Sequence, residues 1–493
     1  MAMQRFGLIF ILLTTTLVRG EPSVIIIGAG AAGIAAGTKL LKNNFTNFKI
    51  LEAEPRIGGR IRSVKLENAF VDLGAEWCDG QEGNLVYDKV KDLNLLEPTR
   101  IPTDIYLSTK TKLDDEFANE LFAIFNQLQN PAGDIPDDRN ETLGSYFEKN
   151  YPRIITQKYA TNPNKLDIAK DAMDLVRSHV LWIRGGFSWF DPALITDHKN
   201  AGGDHTLNWK GRGFKTFLDI LMEKYPDSDQ HSPIDEKILL SKEVTNISWR
   251  NGANITCSDN SSYYADHVIF TPSVGVLKQK KDTLFSPELP SDKQRAIENI
   301  GFAAIIRVVM YFSEDWWRDS PGFFFVWTEQ HKKHLSEEFP EGPNKVGQSW
   351  LTSLFKIYRQ DSNPNVLIAL FVGDFVPDIE VLPENLLMKG VYFVMERFLS
   401  QDYNVTKPDK IIRTNWYTNP HFKGSYSFQT IRARRENGQI SAEEKLAEPL
   451  RNFEGKPLIQ FAGEATNVLH YTTVQGAVET GYREADILLN LYQ

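Results

Sequence analysis

The sequence predicts an α/β fold in which strand-and-glycine-turn sequence of one kind recurs at the start, middle and end of the chain. Three observations lead there. A short β-branched run, Val24 to Ile27, meets Gly28-x-Gly30-x-x-Gly33 and then a small-residue helix to about Leu41. Hairpin and strand patterning returns between residues 244 and 270, and a strand, a glycine turn and a long helix close the chain. Other sequence is inserted twice between these stretches.

The first stretch reads as a βαβ unit. Its second strand, "FKILEAE", reaches Glu52, an acid about twenty positions beyond the glycines, as ribose recognition requires. Gly28 permits the tight turn, Gly30 lets backbone approach a pyrophosphate, and Gly33 lets helix and strand pack closely. The helix N-terminus supplies amides and positive dipole to the phosphates. At this point NAD and FAD fit equally.

Next, "LDDEFANELFAIFNQLQ" (113–129) has helical periodicity with acids in its first turn and predicts an amphipathic packing helix outside the nucleotide fold. The middle stretch alternates as a hairpin around Asn251-Gly252, followed by a strand from Asp266 to Phe270. "GFAAIIRVVMYF" (301–312) reads as one buried strand interrupted by Arg307. Burying an unpaired charge costs several kcal/mol, so a partner, cofactor or cavity is expected to receive that guanidinium.

The 493 residues suggest two or three domains, and 42% hydrophobic residues with mixed charge suit a soluble globular chain. A net charge of -9 argues against nucleic-acid binding and mildly favours cationic small molecules. Residues 1–20, one basic residue followed by an apolar run from Phe6 to Val18, read as a secretory signal peptide. The run falls short of the ~20 residues a bilayer span needs, so no membrane span is expected after cleavage. Six N-x-Ser/Thr sequons, at Asn44, Asn140, Asn246, Asn254, Asn260 and Asn404, fit a secreted, glycosylated protein. The two cysteines, Cys78 and Cys257, exclude a disulfide scaffold and supply no metal motif, so no metal is expected.

These motifs together resemble the flavin-containing amine oxidase family, most closely its animal polyamine oxidases, which act on spermine or acetylated polyamines. The likeness is carried by Gly28 to Gly33 with Glu52, "RIGGRI", "DLGAEWCDG", "ADHVIFTPSVGVLK", "GSYSF", and "FAGEAT" followed by "GAVETGYREA". The resemblance implies a Rossmann-like FAD-binding domain from residues 21–96, 203–283 and 418–493. It also implies an α+β substrate-binding domain from residues 97–202 and 284–417. FAD is expected to be non-covalent, because Ser425 stands where monoamine oxidases carry the cysteine that attaches their flavin. The implied cofactor contacts are Gly28, Gly30, Ala32, Gly33, Glu52, Ala53, Gly59, Arg60, Gly74, Ala75, Glu76, Trp77, Val244, Trp416, Gly463, Glu464, Thr473 and Val474.

On the substrate side, Tyr426 matches one wall of the aromatic cage that flanks the family's substrate amine, and Thr473 replaces the second wall. Trp77 and Asp79, in "GAEWCDG", match tunnel-lining positions, and Asp79 is expected to bind a distal ammonium. Arg307 falls where the family carries its active-site lysine. Lysine sheds its proton when desolvated, whereas arginine stays charged. Asp79 and Arg307 are therefore expected to pair across the flavin face. Gln475 also departs from the family, and no role follows from it.

The resemblance implies oxidation of an amine by FAD and oxygen, with catalytic roles for Arg307, Asp79 and Tyr426. Two further readings remain beside it. One is an L-amino-acid oxidase whose Arg307 binds a carboxylate; the other is a secreted flavoprotein that lost turnover when lysine became arginine.

Overall fold

Two six-stranded sheets organise the chain in the computed structural model, which describes residues 21–129, 140–434 and 440–492. The expected signal peptide, residues 1–20, lies outside the described residues. In the first sheet the strands Leu450–Arg451, Pro457–Phe461, His267–Phe270, Val24–Ile27, Phe48–Leu51 and Ile238–Leu239 lie side by side in that order. All pairs are parallel except the edge strand Leu450–Arg451. Parallel strands buried on both faces are nearly continuous apolar runs, and Val24–Ile27 is buried throughout.

One face of this sheet carries Ile26, Ile50 and Ile269 against the helices Ala31–Lys42 and Val474–Tyr492. These helices approach closely because Gly481 has no side chain: a Cβ there would lie 2.1 Å from the Ala32 carbonyl oxygen. The other face carries Ile25, Ile27, Val268 and Phe270 against the hairpin Val244–Trp249 and Ala253–Cys257.

The second sheet draws its strands from both insertions, in the order Lys410–Arg413, Ile306–Tyr311, Val366–Phe371, Leu354–Arg359, Gly322–Val326 and Asp104–Leu107. Its last pair is parallel and the rest are antiparallel. Ile306, Val308 and Met310 face one core, with Trp317 and Phe398. Val309, Ile368 and Leu370 face another, under the helices Asp115–Gln129 and Met173–Arg184. Arg307 shares the parity of Val309 and therefore the helix-covered face.

The single strand expected at 301–312 is two strands in two sheets. Gly301–Ala303 pairs with Tyr426–Phe428, and Ile306–Tyr311 joins the second sheet. The chain turns between them because Ser425 fastens both sides of the break. Its amide donates to the Ala303 carbonyl (2.8 Å), and its hydroxyl accepts from the Ile305 amide (3.2 Å).

Cys78 and Cys257 are separate buried thiols, the former pushed up to about 12 by burial. No helix among the described residues is long and apolar enough to cross a membrane.

Candidate functional site

The first sheet ends in a glycine turn at the mouth of a cavity of about 310 Å³. Gly28 has φ +102°, a conformation open to glycine, and a Cβ on Gly33 would sit 2.0 Å from the Gly28 carbonyl oxygen. Gly33 thus seats the helix Ala31–Lys42 on its strand and does not line the cavity. That helix begins at Gly30 with no side chain capping its first amides. Its N-terminal donors are left for a ligand.

Gly30 and Gly59 present bare backbone to each other: a Cβ on Gly59 would lie 3.3 Å from the Gly30 Cα. Glu52 is buried at the end of its strand. Its carboxylate accepts from the Ala29 amide (2.7 Å) and the Glu54 amide (2.8 Å), while burial pushes its pKa up. An uncapped helix start, bare glycine walls and a strand-end carboxylate form a cradle for a dinucleotide, and FAD fits this donor set.

Ala32, Ala53, Arg60, Gly74, Ala75, Val244, Trp416, Gly463, Glu464, Thr473 and Val474 line the same cavity, as do Arg307 and Tyr426. Arg60 donates to Glu464 Oε1 (2.8 Å) and to the Ser425 carbonyl (3.0 Å). Glu464 Oε2 accepts from Ser427 Oγ (2.5 Å) and the Thr472 amide (3.0 Å). Trp416 Nε1 donates to the Leu73 carbonyl (2.9 Å), which fixes the indole plane at the wall. The Thr473 hydroxyl accepts from the Gly476 amide (3.0 Å) and donates to the His470 carbonyl (2.8 Å), capping the last helix. Gln475 lies behind it and donates to the Gly83 carbonyl (2.9 Å) and Glu479 Oε1 (2.8 Å).

At the other end of the cavity, Tyr426 donates its hydroxyl to the Trp182 carbonyl (2.7 Å), and burial pushes its pKa up. Its ring edge is therefore held and its face is available. Arg307 Nη1 donates to the carbonyls of Gly74 (2.6 Å) and Asp72 (3.2 Å) and lies 3.2 Å from Glu76 Oε2. Burial opposes the guanidinium charge, but Tyr358, Glu76 and Asp72 outweigh it and hold its pKa up. Burial raises the Glu76 carboxyl, opposed by Arg307 and by the Tyr358 hydroxyl, which donates to it at 2.6 Å.

The expected pairing of Asp79 with Arg307 is therefore corrected. Asp79 is half-exposed and meets His205 Nδ1 at 2.7 Å, while the carboxylate facing Arg307 belongs to Glu76. The reason is local. The chain is extended at Cys78, whose amide bonds the Leu207 carbonyl (2.9 Å), and this carries Asp79 outward beside the segment that holds His205. Glu76 and Trp77 likewise leave the cavity wall. They line a separate small cleft with Tyr358 and Asp361, and the Trp77 ring stands edge-on to Trp182 at 6.3 Å.

Sequence reasoning passed over two residues. Lys356 is 4% exposed on the face that holds Arg307, and His421 lines the cavity near Glu243 and Val244. Lys356 carried a signal, a charge inside the apolar run "LFKIY"; His421 carried none.

A family model described as flavin containing amine oxidoreductase matches residues 31–489. The chain is 26% identical to the peroxisomal N(1)-acetyl-spermine/spermidine oxidase of Homo sapiens, over 96% of each chain. It is 24% identical to the probable polyamine oxidase 5 of Arabidopsis thaliana, over 95% of this chain and 98% of that one. Among solved structures, a double mutant of putrescine oxidase matches with a TM-score of 0.62 at 14% identity, over 95% of this chain and 99% of the other. That last likeness is one of fold.

Proposed function

Because the chain belongs to the flavin containing amine oxidoreductase family, whose members use FAD, we propose that it oxidises a polyamine with oxygen as the final acceptor. One observation carries the reading: the cavity's inner end joins an aromatic wall, Tyr426 and Trp416, to a guanidinium whose charge is already met by Glu76. A cationic amine can approach such an end without facing an uncompensated positive charge. In the balanced reaction, a secondary amine, oxygen and water give an aldehyde, a primary amine and hydrogen peroxide.

When bound, FAD supplies the two-electron acceptor for hydride from the carbon beside the amine nitrogen. The chain supplies orientation and electrostatics. Tyr426, anchored through its hydroxyl, offers a ring face against the substrate nitrogen. Arg307, clamped on three acceptors, fixes the backbone at Asp72 and Gly74 and keeps its proton throughout. Asp79, paired with His205 at the surface, offers a carboxylate outside the chamber for a distal ammonium.

The engagement of Arg307 also weighs against the amino-acid oxidase reading, since a substrate carboxylate would have to displace Glu76. Secretion with glycosylation belongs to the same proposal. It is supported by the exposure of Asn44, Asn140, Asn254, Asn260 and Asn404.

The test is anaerobic mixing of the FAD-loaded protein with spermine, spermidine, N1-acetylspermine and a panel of L-amino acids, while the visible flavin band is followed. Bleaching by a polyamine is expected. Bleaching by amino acids alone would replace the substrate class, and a band that persists with every substrate would mark a flavoprotein without amine turnover.

A further inference from the structure

His421 stands where all three stretches of the nucleotide-binding sheet meet. Its Nδ1 lies 2.7 Å from Glu54 Oε1, just past the Glu52 strand, and its Nε2 lies 3.8 Å from Glu243 Oε2, just before Val244. Asn419 supports the imidazole from behind: its side-chain oxygen accepts from the His421 amide (2.9 Å), and its Nδ2 donates to Glu54 Oε1 (3.3 Å). Lys280 holds the other oxygen of Glu243 at 2.6 Å.

His421, Glu243, Val244 and Lys280 all line the cavity at the end where Glu52 stands. Glu54 and Glu243 are both held below the usual carboxylate range. For Glu54, burial acts against this and is outweighed by hydrogen bonds from His421 and Asn419; for Glu243, the leading cause is the bond from Lys280. Two ionised carboxylates from different stretches therefore flank one imidazole at this end of the cavity. Arg56, 3.9 Å from Glu54 Oε2, and Lys280 also offset their charge.

We propose that His421 is a latch for the nucleotide end of FAD, a positioning residue that bridges Glu54 and Glu243 and so ties the three chain stretches around the cofactor. This rests on the FAD-binding reading and does not depend on which amine is oxidised. The latch orders the walls of the cavity before the cofactor arrives. Its effect falls on cofactor retention, not on the reacting atoms.

The test is FAD affinity. Purified holoenzyme is stripped and titrated with FAD by fluorescence quenching, and flavin retained after gel filtration of the holoenzyme is measured separately. His421→Leu is expected to weaken FAD binding at least tenfold while the melting temperature of the stripped protein changes little. His421→Gln, which can still donate to one carboxylate, is expected to recover part of the loss. If His421→Leu does not fold, the Glu54→Gln/Glu243→Gln variant, which leaves the histidine in place without its ionic partners, is expected to lose retention too. FAD affinity within twofold of the parent in these variants, or a loss matched by equal destabilisation of the stripped protein, would overturn the latch. A parent protein that takes up no FAD would overturn the cofactor reading with it, whereas one that binds FAD and oxidises no amine would leave the latch intact.

Discussion

Arg307 and Glu76 form a buried ion pair 3.2 Å apart, with side chains 9% and 10% exposed, although 231 positions of sequence separate them. A buried pair adds little net stability over an apolar isostere, but removing one member leaves the other charge stranded. Arg307→Met is therefore expected to lower the unfolding free energy by about 3–5 kcal/mol. Glu76→Gln/Arg307→Met should recover a large part of that loss. Urea melts of the parent, both single variants and the double variant measure the coupling, and strictly additive single effects would contradict it.

Lys356 lies in the same row of the sheet as Arg307, since both pair with Leu370 of the strand between them. The register shift at Leu354/Lys356 is a β-bulge, a device that re-aims side chains. It turns Lys356 into a box formed by Trp182 (4.4 Å to the ring centroid), Tyr358 (5.2 Å) and Phe324 (5.3 Å). Burial drives its pKa from the ordinary 10.5 to about 8. Below pH 8 both folded and unfolded chains carry the proton and the full penalty applies. Between 8 and 10.5 the unfolded chain binds more protons, so stability rises with pH; above 10.5 the penalty is gone. The shift corresponds to about 3 kcal/mol. Lys356→Met is expected to be more stable than the parent at pH 7, with the gap closing by pH 10.5; a constant gap in urea melts across that range would refute this origin.

Tyr426 separates two contributions. Tyr426→Phe removes the hydrogen bond to the Trp182 carbonyl and is expected to cost about 1 kcal/mol of stability. It keeps the ring face, so kcat/KM should change little. Tyr426→Ala removes the face itself and is expected to lower kcat/KM about tenfold. Steady-state assays with the polyamine that bleaches the flavin fastest measure both, and equal losses in the two variants would argue against a ring contact.

Gly33 tests the nucleotide turn without touching a ligand. Alanine there meets the Gly28 carbonyl oxygen at 2.0 Å, so the helix Ala31–Lys42 must lift from its strand. Gly33→Ala is expected to cost about 1–3 kcal/mol and to purify with little bound flavin. The ratio of flavin to protein absorbance measures it, and a parent-like ratio would show that the helix tolerates the shift.

The nucleotide turn was legible from the chain because its logic spans few residues. Glycine spacing, the β-branched run before it and Glu52 beyond it act within one βαβ unit, and the cavity opens where they place it. The hairpin at Asn251-Gly252 was legible for the same reason; Ala253 pairs with Trp249 across the turn. The break at Ala304-Ile305 was not, because an apolar run looks alike whether it stays in one sheet or crosses between two.

By itself the sequence determined the α/β class, the position of the cofactor cradle and the fact that a buried guanidinium at 307 needs a partner. Only the tertiary structure decided that the partner is Glu76 and not Asp79, that Lys356 joins Arg307 on one face, and that His421 bridges acids from two distant stretches. Motifs and periodicity report forces acting over a few residues. Charge pairing depends on which strands come to lie side by side, and sheet register, summed over the whole chain, sets that.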